Sequence, residues 1–312
     1  MMEDMETRSS TRSRIYVAAY FGLWMAALLL LRGLYGFELG EAIAAFVILG
    51  LALPALSLLS TRGVNVLPHA VVRPLRESTF LLAYLAVIAV ILVWGFGGVA
   101  RITSEPAHTI VLLALKLGAF VVVPAVIMLA TGPYRLRELA PVSLTWSALK
   151  PALWMSLAVL IMQMLLGRGL QQIRQSHLPV SVIALAAPLA FAWLVIEVGV
   201  VEEFFFRVLL QERLSMALRS PWAGLVVAAL LFGLVHAPGL YLRPAATQEA
   251  VGLHPSLLLA VCYSIVMTSL AGLFLGVLWM RTKNFAVVAL VHAAGDLLPN
   301  LVPWIKAFHF TR

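Results

Sequence analysis

Runs of about twenty apolar residues recur along the whole of this 312-residue chain, and they limit its possible folds more than any other feature. A run of that length crosses the hydrocarbon core of a bilayer as an α-helix. About nine such runs are present, at residues 15–31, 41–60, 79–100, 110–132, 152–167, 180–206, 221–242, 257–280 and 284–305. The alternation of polar and apolar residues typical of membrane β-barrels is absent from the sequence. The pattern therefore predicts an all-α polytopic membrane protein.

Composition supports this fold class. Hydrophobic residues make up 62% of the chain and charged residues only 12%, against about 25% charged residues in soluble domains. The single cysteine, Cys262, excludes a disulfide within the chain and a zinc site built from cysteines. The formal net charge is +8, but the basic residues are scattered over short connections, which is typical of topology determinants and lipid-headgroup contacts. No nucleic-acid partner is expected.

The distribution of lysine and arginine predicts the orientation in the membrane. Alternate connections and tails carry 14 basic residues on one side and 7 on the other, with Lys116 inside the fourth run. Because cytoplasmic loops are enriched in Lys and Arg, the richer side should be cytoplasmic. This places the N-terminus and the connections 61–78 and 133–151 inside, and the C-terminus outside. Arg32 follows the first run where a signal peptide would have small residues, so a retained span is expected.

Ionisable residues interrupt three of the most apolar stretches: "VVEEFFFRVLL", "LLFGLVHAPG" and "VALVHAAGDLL". A charged side chain at the bilayer centre costs at least about 2.5–3.5 kcal/mol on insertion scales. Taken singly, Glu203 and Arg207 at i and i+4 are typical of a local ion pair, and a lone histidine is typical of a helix-bundle core. Their joint occurrence with Glu202 and Asp296 favours a functional site.

Counting along the helices indicates that these groups share one depth. A tight turn is expected at Arg219–Pro221, and the glutamates lie 17 and 16 residues before Arg219, while His236 lies 16 residues after Ser220. At 1.5 Å per residue, both positions are roughly 24 Å from the turn. His292 lies about nine residues beyond the basic connection before the last run, and Asp296 follows on the same helix face.

Such a constellation suits hydrolysis. A carboxylate in a low dielectric takes up a proton more readily than one in water, which suits Glu202 as a general base. His236 can share the proton or position a water, and His292 with Asp296 can stabilise an oxyanion or polarise a carbonyl. No serine or cysteine nucleophile lies in these motifs, so direct attack by water on an amide is the expected reaction. The same side chains are potential zinc ligands, but no H-E-x-x-H spacing occurs, so the residues alone leave metal binding open.

Three motifs in order, E-E-x-x-x-R at 202–207, F-x-x-x-H at 232–236 and H-x-x-x-[ND] at 292–296, resemble those of a known family. This is the CAAX-protease and bacteriocin-processing (CPBP or Abi) family of intramembrane endopeptidases, which includes the type II CAAX prenyl proteases. The run "LFLGVLWMRTKNFAVVALVHA" is also similar to the segment before the last family motif. The resemblance covers roughly Leu185–Pro303. Asp296 stands where many members have asparagine.

The resemblance implies an intramembrane protease with a cavity open to the cytoplasmic side and a membrane-associated protein or peptide as substrate. It implies four catalytic residues, which are Glu202, His236, His292 and Asp296. It also implies three supporting residues, which are Glu203, Arg207 and Phe232. No cofactor is favoured, because water activated by glutamate without metal is the preferred mechanism. In the zinc-dependent alternative the ligands are Glu202, His236 and His292. The short loops favour a prokaryotic cell membrane and argue against a prenylated substrate.

The expected organisation is a protease-like domain at 180–306 preceded by an N-terminal region of about five helices at 1–179, to which the sequence assigns no role. Three other polar residues of the spans, Lys116, Gln163 and Glu197, belong to no motif, and Lys116 and Glu197 are expected to pair across helices. One alternative function is a non-catalytic scaffold or bacteriocin-immunity protein of the same family. Another is a proton-coupled transporter, although the internal repeat typical of transporters is not visible.

Overall fold

The computed structural model describes residues 2–64, 66, 71–99, 101–242 and 255–310. Over these residues the regular secondary structure is helical and no strand occurs. Nine helices in the described ranges are long and apolar enough to cross a membrane. The protein is thus an all-α polytopic membrane protein, as the apolar runs predict.

We label the nine spans and two short connecting helices α1 to α11 in chain order: α1 Thr11–Tyr35, α2 Leu39–Ser60, α3 Pro74–Val99, α4 Ala107–Thr131, α5 Leu136–Leu139, α6 Trp146–Leu166, α7 Gly169–Gln175, α8 Val180–Ala217, α9 Pro221–Leu242, α10 Leu257–Thr282 and α11 Phe285–Ala307. The predicted runs agree with the spans to within a few residues at most ends. The helix of α1 itself begins at Met2. The span α6 is longer than predicted, since it begins at Trp146, and α8 continues past its apolar run to Ala217, as the helical propensity up to the turn at Arg219–Pro221 predicts. Residue 100, at the end of the third predicted run, lies outside the described residues.

The chain forms two compact units. The first comprises Met1–Leu59, Val71–Ala83 and Phe206–Arg281. The second comprises Ser60–Ala70, Tyr84–Phe205 and Thr282–Arg312. The boundary at Phe205 divides α8, so its two glutamates and its arginine belong to different units. The predicted division of the chain at residue 179 stays a prediction.

In the first unit, α1 packs on α9 and α10 through buried aromatic side chains whose polar atoms are satisfied. The Tyr20 hydroxyl lies 2.6 Å from the Ser269 hydroxyl, and the Trp24 indole donates to the Val266 carbonyl at 3.0 Å. A bilayer provides no water for such groups, so internal partners are required. These two hydrogen bonds therefore fix how α1 sits against α10.

The turn between α8 and α9 has the predicted position. Pro221 occupies the first turn of α9, where its missing N–H is no loss, and the Ser220 hydroxyl accepts from the Ala223 N–H. Arg219 has a φ of 52°, a left-handed conformation that reverses the chain sharply. The expected tight turn at Arg219–Pro221 is confirmed.

In the second unit, α11 packs on α6, α7 and the first part of α8. Small residues permit this close approach: a Cβ at Gly199 on α8 would lie 2.5 Å from the Ala289 carbonyl oxygen on α11. Ala186 and Ala190 form a buried cluster with Leu301 and Ile305 farther along the same helix pair. The helix that carries His292 is thus held along most of its length.

The second unit also contains the ion pair expected between α4 and α8. The Lys116 ammonium lies 3.1 Å from Glu197, with side-chain exposures of 21% and 19%. The second carboxylate oxygen of Glu197 accepts a 2.6 Å hydrogen bond from the Trp193 indole. The predicted pairing of Lys116 with Glu197 is confirmed.

We expect Lys116→Met to destabilise the protein, because it removes the cation from a carboxylate within a span. The loss in unfolding free energy should be smaller than the roughly 3–5 kcal/mol of a fully buried pair, since both side chains are partly exposed. In the double variant Lys116→Met/Glu197→Gln most of that loss should be recovered, and the amide oxygen can still accept from Trp193. Thermal unfolding in detergent measures this, with Lys150→Met at an exposed position of α6 as the matched control. Equal stability of wild type and Lys116→Met would contradict the prediction.

Candidate active site

Glu202 and Glu203 lie on α8 between two π-helical segments. The first segment is Val195–Val200 and the second is Phe204–Gln211, with only Val201–Glu203 between them in α-helical conformation. π-helical turns, in which the backbone bonds from i to i+5, occur frequently at functional sites. They also mean that the predicted rise of 1.5 Å per residue does not hold along this stretch of α8.

The buried carboxylate of Glu203 binds His292. Its Oε1 lies 2.8 Å from Nδ1 of His292, and its side chain is 0% exposed. An ionised carboxylate can only accept, so Nδ1 carries the hydrogen and its direction is fixed. The sequence pattern assigned Glu203 to Arg207, and that ion pair stays a prediction. The sequence pattern does not indicate the contact between Glu203 and His292.

The other nitrogen of His292 faces two further carboxylates. Its Nε2 lies 3.9 Å from Oε2 of Glu202 and 4.0 Å from Oδ2 of Asp296. Both gaps are too long for a direct hydrogen bond, and a water bound to both groups would bridge them. Side-chain exposure is 11% for His292, 17% for Glu202 and 37% for Asp296, so this side of the cluster is accessible. The expected placement of His292 and Asp296 on one helix face is confirmed.

In the first unit, Arg207 and His236 both contact Phe232. The guanidinium carbon of Arg207 lies 4.6 Å from the centre of the Phe232 ring, and both side chains are buried. Such a cation–π contact stabilises a charge that is removed from water. Nδ1 of His236 lies 2.8 Å from the Phe232 carbonyl oxygen, which can only accept. Nδ1 is therefore the donor, and a neutral His236 has its lone pair on Nε2.

His236 lies at an interruption of α9. The α-helix that begins at Pro221 ends at Leu234, and a second helical segment begins at Ala237. The span predicted over 221–242 is present, and this interruption lies within it. Pro238 explains the interruption, because it has no N–H to donate to the Leu234 carbonyl four residues earlier. The interruption places the histidine where the backbone departs from the helix.

The predicted residues thus form two groups, one in each unit. The group in the second unit consists of Glu202, Glu203, His292 and Asp296. The group in the first unit consists of Arg207, Phe232 and His236. The approach of His236 to Glu202, which the count along the hairpin predicts, stays a prediction. Within the described ranges, no three His, Cys, Asp or Glu side chains are placed to hold a metal ion. The zinc ligand set of the metal-dependent alternative also stays a prediction.

Gln163 contacts the helix of His292, although the sequence pattern gave it no part in the site. Its side-chain amide donates to the carbonyl oxygen of Gly295 at 3.0 Å. Gly295 lies between His292 and Asp296 on α11. The one signal for this contact in the sequence is Pro299, four residues after Gly295.

Comparison with known protein families identifies the segment that carries all seven predicted residues. Residues 184–298 match the family described as type II CAAX prenyl endopeptidase Rce1-like. This confirms the resemblance to CAAX proteases that the three motifs indicate. Comparison with curated proteins and with solved structures gave no match.

We expect Glu203→Ala to lower the melting temperature, because it removes the hydrogen-bond partner of His292. A hydrogen bond to a charged group typically contributes about 1.5–3 kcal/mol. Glu203→Gln should lose less, since its amide oxygen can still accept from Nδ1–H. Glu202→Gln is the matched control, because its carboxylate makes no direct hydrogen bond with His292, and it should melt near wild type. Identical melting of Glu203→Ala and Glu202→Gln would show that the His292 contact contributes nothing.

Proposed function

Since residues 184–298 of this chain match the family of Rce1-like type II CAAX prenyl endopeptidases, we propose that the protein is an intramembrane endopeptidase. It hydrolyses a peptide bond in a membrane-associated protein or peptide by means of an activated water. The observation that carries the proposal is the arrangement around His292, in which Glu203 holds Nδ1 while Nε2 faces Glu202 and Asp296. The two adjacent glutamates therefore differ: Glu203 is buried and hydrogen-bonded to His292, whereas Glu202 is partly exposed and lies near the other nitrogen of the ring.

Glu202 is the proposed general base. Its side chain is partly exposed, whereas the neighbouring Glu203 is fully buried and occupied by His292. Glu202 takes one proton from the water as the oxygen bonds to the scissile carbonyl carbon. When the carbon–nitrogen bond breaks, the same carboxyl group returns that proton to the leaving amine. His236, with Nδ1 held by the Phe232 carbonyl, positions the water or shares its proton through Nε2.

His292 is the proposed group at the scissile carbonyl. With its Nδ1–H held by Glu203, it can donate from Nε2 to a developing oxyanion as the imidazolium, whose charge Glu203 balances. Asp296 orients this end of His292 rather than donating to the oxyanion, because an ionised carboxylate has no hydrogen to give. This mechanism uses no metal. In the zinc-dependent alternative, Glu202, His236 and His292 would be the ligands.

Substitution of the three central groups should remove most of the activity while the protein still folds, although His292→Ala should also melt at a lower temperature because it removes the partner of Glu203. We expect Glu202→Gln, His236→Ala and His292→Ala each to lose roughly 10²–10⁴-fold in rate, the range for a general base or an oxyanion donor. Asp296→Asn should be mild, because it restores the amide that many family members carry. The measurement is a proteomic comparison of membranes from wild-type and Glu202→Gln cells, in which uncleaved peptides should accumulate. Purified protein is then assayed on the synthetic form of those peptides.

His309→Ala is the matched control for these variants, since His309 is exposed and lies outside the motifs. If no peptide differs between the strains and purified wild type cleaves nothing, the non-catalytic scaffold or immunity protein becomes the better assignment. Stoichiometric zinc in active protein, lost in the His236 and His292 variants, would overturn only the metal-free mechanism. Full activity in phenanthroline supports that mechanism.

The proposed location is a prokaryotic cell membrane, with the segment before α1 in the cytoplasm and the segment after α11 outside. The bias of 14 basic residues against 7 supports this orientation. Two of the 14, Arg207 and Arg213, are buried on α8 and so do not act as loop charges. Without them the bias is 12 to 7 and keeps its direction.

Cysteine labelling tests the orientation. In a Cys262→Ala background, cysteines introduced at Asn65 and Ser143 should resist a membrane-impermeant maleimide in intact cells and react after permeabilisation. Asn65 lies outside the described residues, and Ser143 lies between α5 and α6. Ser104→Cys, at an exposed position between α3 and α4, should react in intact cells and serves as the control. The reverse pattern would invert the topology.

A further inference from the structure

Pro299 removes one backbone hydrogen bond from α11. In an α-helix each backbone N–H donates to the carbonyl four residues earlier, and proline has no N–H. The carbonyl of Gly295 therefore cannot receive its regular helical hydrogen bond. Gly295 lies within the single turn that joins His292 to Asp296. At membrane depth a carbonyl without a donor is costly, because no bulk water can replace the missing group.

Gln163 supplies a donor from another helix. Its Nε2 lies 3.0 Å from the Gly295 carbonyl oxygen. Gly167, at the end of α6, leaves the space that this amide occupies, since a Cβ there would lie 2.1 Å from Oε1 of Gln163. One turn earlier on α6, Val159 packs against Gly295 itself, 3.3 Å from where its Cβ would be. The helix α6 is therefore closely packed against the turn of α11 that carries His292 and Asp296.

The start of α7 contacts the same stretch of α11 from its proline end. A Cβ at Gly169 would lie 2.7 Å from the backbone nitrogen of Pro299 and 2.5 Å from the carbonyl carbon of Leu298. Only glycine permits so close an approach. Gln163 on α6 thus binds the Gly295 carbonyl, and Gly169 at the start of α7 packs against Pro299, the residue that lacks the regular donor.

We propose that Gln163 is a positioning residue of the active site. By donating to Gly295 it fixes the turn of α11 that sets the direction of His292 and Asp296. This inference rests on the proposed function for its catalytic meaning, but not for its structural content. It assigns to α6, which carries no motif of its own, a part in the reaction.

The test compares Gln163→Leu, which keeps the size of the side chain and removes the donor, with Gln171→Leu at an exposed position of α7. Purified proteins in lipid nanodiscs are reacted with diethylpyrocarbonate, and modification of each histidine is followed by mass spectrometry. We expect His292 to react severalfold faster in Gln163→Leu than in wild type, while the exposed His177 and His309 react equally in all proteins. Equal His292 reactivity in Gln163→Leu and Gln171→Leu would overturn the proposal.

Pro299→Ala provides a second and independent test, because alanine restores an N–H that can donate to Gly295. In that background Gln163→Leu should lower the melting temperature less than it does in wild type. An equal loss in both backgrounds would mean that Gln163 acts elsewhere than at the Gly295 carbonyl, and would overturn the proposal. If Pro299→Ala does not fold, the labelling of His292 decides alone.

Activity separates this inference from the proposed function. The probe is a fluorogenic peptide with a farnesylated CAAX tail, together with its unfarnesylated form. A misplacement of about 1 Å near the chemistry can cost on the order of 10²-fold, so kcat of Gln163→Leu should fall between about 10- and 100-fold with KM little changed. If wild type cleaves neither this probe nor any peptide that accumulates in cells, the protease assignment fails. The coupling of Gln163 to Pro299 and His292 then still stands or falls on the labelling and melting results.

Discussion

Within the hydrocarbon core of a bilayer no water is available, so each polar atom must find its partner inside the protein. Three contacts between helices of the chain meet this requirement. Lys116 reaches Glu197, Trp24 reaches the Val266 carbonyl, and Gln163 reaches the Gly295 carbonyl. Apolar side chains do not distinguish one neighbour from lipid, but a buried donor pairs with one particular acceptor. Polar contacts therefore specify the arrangement that small residues then permit to pack closely.

The same constraint separates two adjacent glutamates. Glu203 is fully buried and holds His292, whereas Glu202 keeps some exposure and makes no direct hydrogen bond with that histidine. A carboxylate that is already committed to a neighbour is a poor base, and an accessible one without that contact can take a proton from water. Identical side chains one residue apart thus have different surroundings, and the proposed mechanism gives them different roles.

Hydropathy and turn chemistry predicted the spans and the turn at Arg219–Pro221, because both depend on residues close together in sequence. Contacts that depend on the folded bundle were harder to predict. Glu203 was assigned to Arg207, four residues away, since a helix always brings such neighbours together, but its contact with His292 joins residues 89 positions apart. The interruption of α9 before Pro238 lies inside the span that hydropathy predicts over 221–242, because hydropathy is insensitive to a missing backbone N–H. The Gln163 contact required knowing which helix faces Gly295.

The partner of Gly295 also bears on how much of the chain the proposed reaction requires. The family match begins at residue 184, yet the unit that contains Glu202 and His292 includes Tyr84–Phe205. Pro299 on α11 cannot donate a hydrogen bond to the Gly295 carbonyl, and Gln163 on α6 donates one instead. The hydrogen bonding of α11 therefore depends on α6. A segment limited to residues 180–306 would leave the Gly295 carbonyl without its donor and Glu197 without Lys116. Helices α4 and α6, which carry no motif, therefore complete the polar contacts of α8 and α11 within that unit.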